Sequence, residues 1–203
     1  MIDTLLFDLG NVLVYFSHER MFAQMAELCG RSPAEVVTLC RQSGINDRFE
    51  RGEISEAEYH REFEALVRSN VDPEKLYQAA SDIFWSNDSI RPIVAKAKQR
   101  GLRLVLLSNT TSAHFRFIQE RFDVLEPFDE WIVSYEVGAM KPDAPMYEAA
   151  LERIQCPPQR CLYLDDLEAN IQAGRDFGLQ AEVYTDTPTL LNHLKERGLE
   201  LDA

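Results

Sequence analysis

The sequence lacks the features of a membrane protein and of a disulfide-bonded protein. No apolar run approaches the roughly 20 residues that a bilayer-spanning helix needs. Residues 1–8 lack the basic region of a signal peptide and already have the pattern of a strand, so we expect a cytoplasmic location. The cysteines have neither CxxC spacing nor a nearby histidine cluster, which argues against zinc or a disulfide framework; they are Cys29, Cys40, Cys156 and Cys161.

Basic residues are also scarce. There are 21 Lys and Arg against 34 Asp and Glu, which gives a formal net charge of −13. Binding to nucleic acid depends on neutralising phosphates with Lys and Arg, so we expect no nucleic-acid partner. Nothing in the composition requires a membrane or an obligatory protein partner. If so acidic a chain binds an anion, it must concentrate positive charge locally.

Short apolar runs and amphipathic stretches alternate along most of the 203 residues. Several runs adjoin stretches of helical period, at Ile90–Arg100, Asp143–Gln155 and Leu167–Phe177. This alternation predicts an α/β fold, with a parallel sheet covered by helices on both faces. The carboxyl ends of the strands then lie along one edge, where such folds bind ligands. The predicted strands are Thr4–Leu9, Leu102–Asn109, Trp131–Tyr135, Cys161–Asp165 and Ala181–Thr185.

The long interval after the first strand has a different pattern. It contains no convincing strand and several helical patterns, some with N-cap signals such as Ser32 before Pro33 and Asp72 before Pro73. We therefore expect residues 17–87 to form a helical cap domain, inserted into a core domain made of residues 1–16 and 88–203. The predicted cap helices are Met21–Cys29, Pro33–Cys40, Ser55–Ser69 and Asp72–Ser86.

Polar residues lie at the carboxyl ends of the first two predicted strands. Asp8 is followed closely by Gly10 and Asn11, which are common turn formers. A carboxylate in that place can also act as a nucleophile that forms an aspartyl-phosphate. Ser108 and Asn109 follow the second strand, where a hydroxyl can be an N-cap or, with the helix N-terminus, can bind phosphate.

Charged residues occupy two later positions of the same kind. Lys141 precedes a proline and a predicted helix; it is either a solvated loop residue or a cation that offsets nearby negative charge. Asp165 and Asp166 end an apolar strand, where two adjacent carboxylates repel each other. One of them can serve as a helix N-cap. The alternative is a magnesium site, since Mg²⁺ prefers carboxylate oxygens, waters and substrate phosphates.

Strand-Asp, strand-Ser, Lys-Pro and strand-Asp-Asp, in this order, resemble the haloacid dehalogenase (HAD)-like hydrolase superfamily, whose members are mostly phosphatases. The segments 7–12 (FDLGNV), 49–55 (FERGEIS) and 164–170 (LDDLEAN) are similar to a helical-cap subgroup of it. That subgroup includes phosphatases acting on α-glucose 1-phosphate and is similar to the phosphatase domain of soluble epoxide hydrolase. The resemblance implies a Rossmann-like sheet of strand order 3-2-1-4-5 and a Mg²⁺-dependent phosphatase of small phosphorylated metabolites.

The resemblance also implies roles for individual residues. Asp8 and Lys141 would be catalytic, with Asp8 as the nucleophile. Ser108, Asn109 and Lys141 would bind the substrate phosphate. The metal ligands would be Asp8, Gly10 through its main-chain carbonyl, Asp165 and Asp166.

Position 10 departs from the family pattern, which usually has a second aspartate there as general acid and base. A positioned acid or base typically contributes on the order of 10²–10⁴ in rate. Gly10 therefore leaves three alternatives. The substrate has an easily departing group, such as that of an anomeric hexose phosphate; or another residue, with His18 and Glu50 as candidates, replaces the acid; or the chain is a non-catalytic module that binds phosphometabolites or a protein. A metal-independent 2-haloacid dehalogenase is a further alternative.

Overall fold

The computed structural model describes residues 2–201, so residues 1, 202 and 203 of the predicted core domain lie outside it. Five parallel strands form the main sheet in the order β5-β4-β1-β6-β7, and β2 and β3 form a separate antiparallel pair. The strands are β1 (Thr4–Phe7), β2 (Val14–Phe16), β3 (Phe84–Ser86), β4 (Arg103–Ser108), β5 (Glu130–Val133), β6 (Cys161–Asp165) and β7 (Gln180–Val183).

The helices follow in chain order, five of them between β2 and β3. They are α1 (His18–Cys29), α2 (Pro33–Ser43), α3 (Ile45–Glu50), α4 (Glu56–Val67), α5 (Pro73–Ser81), α6 (Arg91–Gln99), α7 (Ser112–Arg121), α8 (Ser134–Val137), α9 (Ala144–Arg153), α10 (Glu168–Asp176) and α11 (Thr187–Glu196). None of the helices within residues 2–201 combines the length and the apolar composition needed to cross a bilayer.

The main sheet is buried on both faces. Successive side chains of a strand point to opposite faces, so Leu5 and Phe7 pack with α6, α7 and α11, whereas Leu6 packs with α9 and α10. Strands buried in this way have continuous apolar runs, which is the pattern of β1 and β4. The five predicted strands are confirmed with end residues that differ by at most two, and their order is the predicted 3-2-1-4-5.

Helices α1 to α5 pack around a hydrophobic cluster of their own. Met25, Phe63 and Leu76 are fully or almost fully buried within it. The predicted caps at Ser32 and Ser55 form complete capping boxes, and Asp72 caps the helix that starts at Pro73. This separate cluster supports residues 17–87 as a cap domain, which stays a proposal.

The predicted helix Asp72–Ser86 is wrong in its last turn, and so is the expectation that residues 17–87 contain no strand. Helix α5 ends at Ser81, and Phe84–Ser86 pairs with Val14–Phe16 where the chain leaves and re-enters the core. The apolar residues that suggested a helix face instead supply strand contacts, with Trp85 beside Tyr15 and Phe84 beside Phe16. Backbone pairing of two distant segments is not visible in local periodicity.

Candidate active site

The sheet register brings the ends of three strands together. Phe7 pairs with both Leu106 and Leu164, so the residues that follow each of them reach the same edge of the sheet. The main-chain N–H of Asp8 donates a hydrogen bond to Leu164. A cavity of about 310 Å³ opens at this edge, and its wall contains all the site residues predicted from the sequence except Asp165, which lies beneath it.

Lys141 lies in the cavity wall, and its side chain is almost fully buried. Its Nζ atom is 2.8 Å from Asp8 Oδ1 and 2.6 Å from Asp165 Oδ2, and it donates a third hydrogen bond to the carbonyl of Leu107 at 2.8 Å. Burial by itself would lower the pKa of Lys141, but Asp8 and Asp165 outweigh it, so the pKa is raised and the lysine stays charged. Because all three donors are used, Lys141 is placed to neutralise carboxylates; a direct contact with phosphate stays a prediction.

Asp165 and Asp166 are adjacent in sequence but have different surroundings. Asp165 is 0% exposed, and both of its oxygens accept hydrogen bonds from the protein. Asp166 is partly exposed and accepts one hydrogen bond, from Asn11 Nδ2 at 3.0 Å. The donors to Asp165 are Lys141 Nζ, Tyr163 Oη, the Leu167 N–H and Asn170 Nδ2, at 2.6, 2.5, 2.9 and 2.9 Å.

The pKa of Asp8 is raised mainly by burial. Burial raises the pKa of Asp8 to about 7, Lys141 lowers it, and the nearby Asp165 carboxylate raises it further. For Asp165, burial also acts to raise the pKa, but Lys141 and the surrounding donors hold it below its usual value. Asp165 is therefore the carboxylate that Lys141 neutralises most completely, and Asp8 remains short of positive charge.

The donor set fits a divalent cation. Ligand oxygens of Asp8, Asp165 and Asp166 lie within 4.8 Å of one another. Among residues 2–201, Lys141 is the cation paired with these carboxylates, so three negative charges face one positive charge. Mg²⁺ binds through one or two carboxylates and keeps several waters. Asp8 and Asp166 have accessible oxygens for it, whereas the oxygens of Asp165 are already occupied; Gly10 lies on the same loop and lines the cavity.

Ser108 and Asn109 line the opposite part of the cavity. Within residues 2–201, the one hydrogen bond of the Ser108 hydroxyl is a long contact of 3.4 Å with the carbonyl of Asn109, so the hydroxyl can turn toward a bound phosphate. The side chain of Asn109 is already used, because it accepts from the Lys141 N–H at 2.7 Å and donates to the Lys141 carbonyl at 3.0 Å. Its side chain therefore holds the lysine segment, which leaves the main-chain N–H of Asn109 for any phosphate contact.

A side chain at position 10 would have to displace the ring of Phe16. A Cβ atom at this position would lie 2.7 Å from Cε1 of Phe16, which is closer than side chains pack. The ring of Phe16 thus occupies the space that a side chain at position 10 would need, and Phe16 lines the cavity in its place.

The segment 49–56 attaches the helical layer, which consists of α1 to α5, to the helices that cover the main sheet. Arg51 pairs with Asp143 at 2.9 Å, and Glu56 pairs with Arg116 at 2.8 Å. Gly52, at φ +66°, approaches the main chain of Tyr135 so closely that a Cβ would lie 2.1 Å from its carbonyl oxygen. These contacts explain the glycine of the FERGEIS segment, since only glycine allows the approach, and they bring Glu50 into the cavity wall.

Several site residues were not identified from the sequence. Tyr163 lies two positions before Asp165, on the same side of the strand, and that alternation was a usable signal. Asn170 is the last residue of the segment 164–170, and it donates a hydrogen bond to Asp165 Oδ1. Phe16 and His114 enter the cavity through long-range packing, for which no local pattern gives a signal.

A haloacid dehalogenase-like hydrolase family model matches residues 2–178. The chain belongs to this family, as the order of its motifs indicated. Its relatives include a D-ribitol-5-phosphate phosphatase of Bacteroides thetaiotaomicron, 24% identical over 187 residues that cover 89% of this chain and 90% of the relative. The bifunctional epoxide hydrolase 2 of Rattus norvegicus is 26% identical over 136 residues, which cover 65% of this chain and 24% of that longer protein.

Solved structures show the same fold. A HAD family enzyme of Bacteroides thetaiotaomicron, solved in complex with magnesium and inorganic phosphate, superimposes with a TM-score of 0.84 at 22% identity. The match covers 94% of this chain and 99% of that one. The predicted fold class is therefore confirmed.

Proposed function

We propose that this protein is a Mg²⁺-dependent phosphatase of small phosphorylated metabolites, such as a sugar phosphate. The observation that carries the proposal is the position of Asp8, at the carboxyl end of the central strand, against a buried lysine and beside a second accessible carboxylate. The named phosphatase among the relatives supports the reaction, and the magnesium and phosphate bound to the related enzyme support the metal and the ligand.

In the proposed reaction, Asp8 attacks phosphorus and the bond to the substrate oxygen breaks, which leaves an aspartyl-phosphate. Water then attacks the phosphorus and releases inorganic phosphate and free Asp8. Mg²⁺, held by Asp8 and Asp166 with the Gly10 carbonyl, would neutralise charge on the phosphate oxygens. Lys141 lowers the pKa of Asp8 against the effect of burial and holds its carboxylate in place. The Ser108 hydroxyl with the Asn109 N–H would hold the phosphate. Such reactions depend mainly on positioning and charge neutralisation.

The experiment is a phosphate-release screen over sugar phosphates, nucleotides and acyl phosphates, with Mg²⁺ and with excess EDTA. We expect release that needs Mg²⁺ and that Asp8→Asn lowers by on the order of 10⁴-fold or more, as for other lost nucleophiles. The matched control is Asp88→Asn, an exposed aspartate outside the cavity, which should keep full activity.

Three results would contradict the proposal. Unchanged release by Asp8→Asn would show that Asp8 is not the nucleophile. Phosphate binding without release from any substrate would indicate the non-catalytic module. Chloride release from a 2-haloacid in excess EDTA, without phosphate release, would identify a dehalogenase.

A further inference from the structure

The proposed reaction needs a proton donor, and the residues that bind the metal and the phosphate do not supply one. When a sugar or other alkyl phosphate is cleaved, the departing oxygen is a poor leaving group unless it takes a proton. In-line attack by Asp8 places that oxygen on the far side of the phosphorus, toward the helical layer. The donor must therefore reach the cavity from α1 to α5 or from the loops beside them. This inference rests on the proposed function.

Two neighbouring cavities meet where the departing oxygen would lie. The first contains Asp8 and the other phosphate-site residues, and the second, of about 290 Å³, lies between the helical layer and α7. The first would hold the phosphate and the second has room for the rest of the substrate. The residues common to both walls are His18, Glu50 and His114, so these three side chains would flank the bond that breaks.

His114 is not suited to donate the proton. Its Nε2 atom is 3.0 Å from the carbonyl of Ala80, to which it donates its hydrogen bond. Burial lowers the pKa of His114 to about 4, so the ring is neutral at pH 7 and its one N–H is already used.

His18 is a weaker candidate than its position suggests. It is exposed at the rim, with its ring 4.9 Å from that of Phe16. Partial desolvation lowers the pKa of His18 below its usual value, so less of it carries the extra proton at neutral pH than of a solvent-exposed histidine. It remains the rival to exclude by experiment.

Glu50 has both the position and the state that the role requires. Its side chain is partly buried, and within residues 2–201 that side chain has neither a hydrogen-bond partner nor an ion-pair partner. The two residues that follow Glu50 fix the position of its backbone. Arg51 pairs with Asp143, and Gly52 packs against the main chain of Tyr135. Burial raises the pKa of Glu50 to about 7; Asp47 adds to this and Arg51 opposes it. At neutral pH much of it is therefore the protonated acid.

We propose that Glu50 is the general acid and base of this enzyme. As the bond from phosphorus to the departing oxygen breaks, its electron pair stays on that oxygen, which takes the proton of the Glu50 carboxyl group. The Glu50 carboxylate then accepts a proton from the water that attacks the aspartyl-phosphate, which regenerates the acid. The role absent at Gly10 is thus supplied from α3.

Glu50 is surrounded by charges of both signs, and these affect the pH at which it loses its proton. Charged and titratable groups face it from its own helix, from α1 and α7, and from the sheet edge across the first cavity; they are Asp47, Arg51, His18, His114, Asp8, Lys141 and Asp166.

The test compares Glu50→Gln with the wild type on two substrates at saturating Mg²⁺. D-ribitol 5-phosphate has an alkyl oxygen that needs a proton, whereas the nitrophenolate that leaves 4-nitrophenyl phosphate does not. The value of kcat/KM reports the steps up to release of the leaving group, which is ribitol from the first substrate and nitrophenolate from the second. We expect Glu50→Gln to lower it on the order of 10²-fold for the alkyl phosphate and less than about threefold for the aryl phosphate.

The pH profile gives a second readout that a structural role would not change. For the alkyl phosphate, wild-type kcat/KM should fall as the pH rises through about 7, because Glu50 loses its proton, and Glu50→Gln should abolish that fall. Glu53→Gln, an exposed glutamate three residues away, is the matched control and should behave as the wild type. Unchanged circular dichroism and melting temperature confirm that each variant folds.

The outcomes separate this inference from the proposed function. Equal losses on both substrates, or none, would overturn the role of Glu50 while leaving the phosphatase in place. A substrate-dependent loss in His18→Gln and not in Glu50→Gln would assign the role to His18. If the wild type shows no release from 4-nitrophenyl phosphate that depends on Mg²⁺ and Asp8, both proposals fail.

Discussion

The two sides of the cavity differ in how completely their polar groups are paired. On the sheet side, Lys141 and Asp165 are buried, and each of their donor and acceptor positions has a partner. On the helical side, the side chain of Glu50 has no hydrogen-bond or ion-pair partner within residues 2–201, and ion pairs that join α1 to α5 to the rest of the protein, such as Arg51 with Asp143, are partly exposed.

This difference separates two tasks. A paired, buried network in a low-dielectric site is rigid, so it fixes the charges that phosphate chemistry needs before substrate arrives. An acid must instead gain and lose a proton, so it cannot be held in a permanent ion pair. The helical side can also vary its residues without disturbing the charges at the sheet edge.

The largest effect is expected from Asp165→Asn. An amide cannot accept from four donors, and it would leave Lys141 without its closest carboxylate. Breaking a buried pair in this way costs about 3–5 kcal/mol. Urea unfolding should show that loss. The matched control is the neighbouring Asp166→Asn, which should cost less than about 1 kcal/mol and instead weaken Mg²⁺ binding. Equal losses of stability in the two variants would contradict the contrast between the two sides.

A smaller effect is expected from Gly10→Asp. The new Cβ would lie 2.7 Å from the Phe16 ring, and such overpacking costs about 1–3 kcal/mol. The ring, rather than the missing carboxylate alone, therefore limits any attempt to restore the acid at position 10. Adding Phe16→Leu should recover part of the loss, so the two substitutions should be non-additive in thermal unfolding. Strict additivity would show that Phe16 is not the obstacle.

The smallest effect on stability is expected from Arg51→Ala. Its pair with Asp143 is partly exposed and contributes at most about 1 kcal/mol. Because this pair joins the helical layer to the sheet domain, we expect KM to rise by up to roughly fivefold while the melting temperature barely changes. The control is Arg20→Ala, whose partner Asp82 lies within the helical layer; its KM should stay at the wild-type value. An unchanged KM in Arg51→Ala would show that this pair does not position the cavity wall.

Much of the sheet side could be predicted from the sequence because its signals are local. Buried strands are short apolar runs, and a polar residue directly after such a run must lie at the edge of the sheet. Asp8, Ser108 and Asp165 were found in this way. The pattern could not show that Asp165 is buried and hydrogen-bonded whereas Asp166 is accessible. That difference depends on donors from β6, α10 and Lys141.

Little of the helical side could be predicted beyond its helices and their caps. Helix α3 carries Glu50 but is only six residues long, which is too short to show a clear helical period of apolar residues. Strand β3 was predicted as the end of a helix, because its partner β2 lies about 70 residues earlier in the chain. Glu50 was named only as one of two candidates, since its cavity position depends on how Gly52 docks against Tyr135.

The sequence by itself determined the α/β class, the strand order through its family resemblance, and the residues that surround the phosphate site. It did so because periodicity and the ends of apolar runs are properties of neighbouring residues. Only the tertiary structure decided which carboxylate Lys141 neutralises, which ring occupies the space beside Gly10, and which acidic side chain of α1 to α5 reaches the cavity wall. Those outcomes depend on burial and on contacts between distant segments, and burial raises the pKa of Glu50.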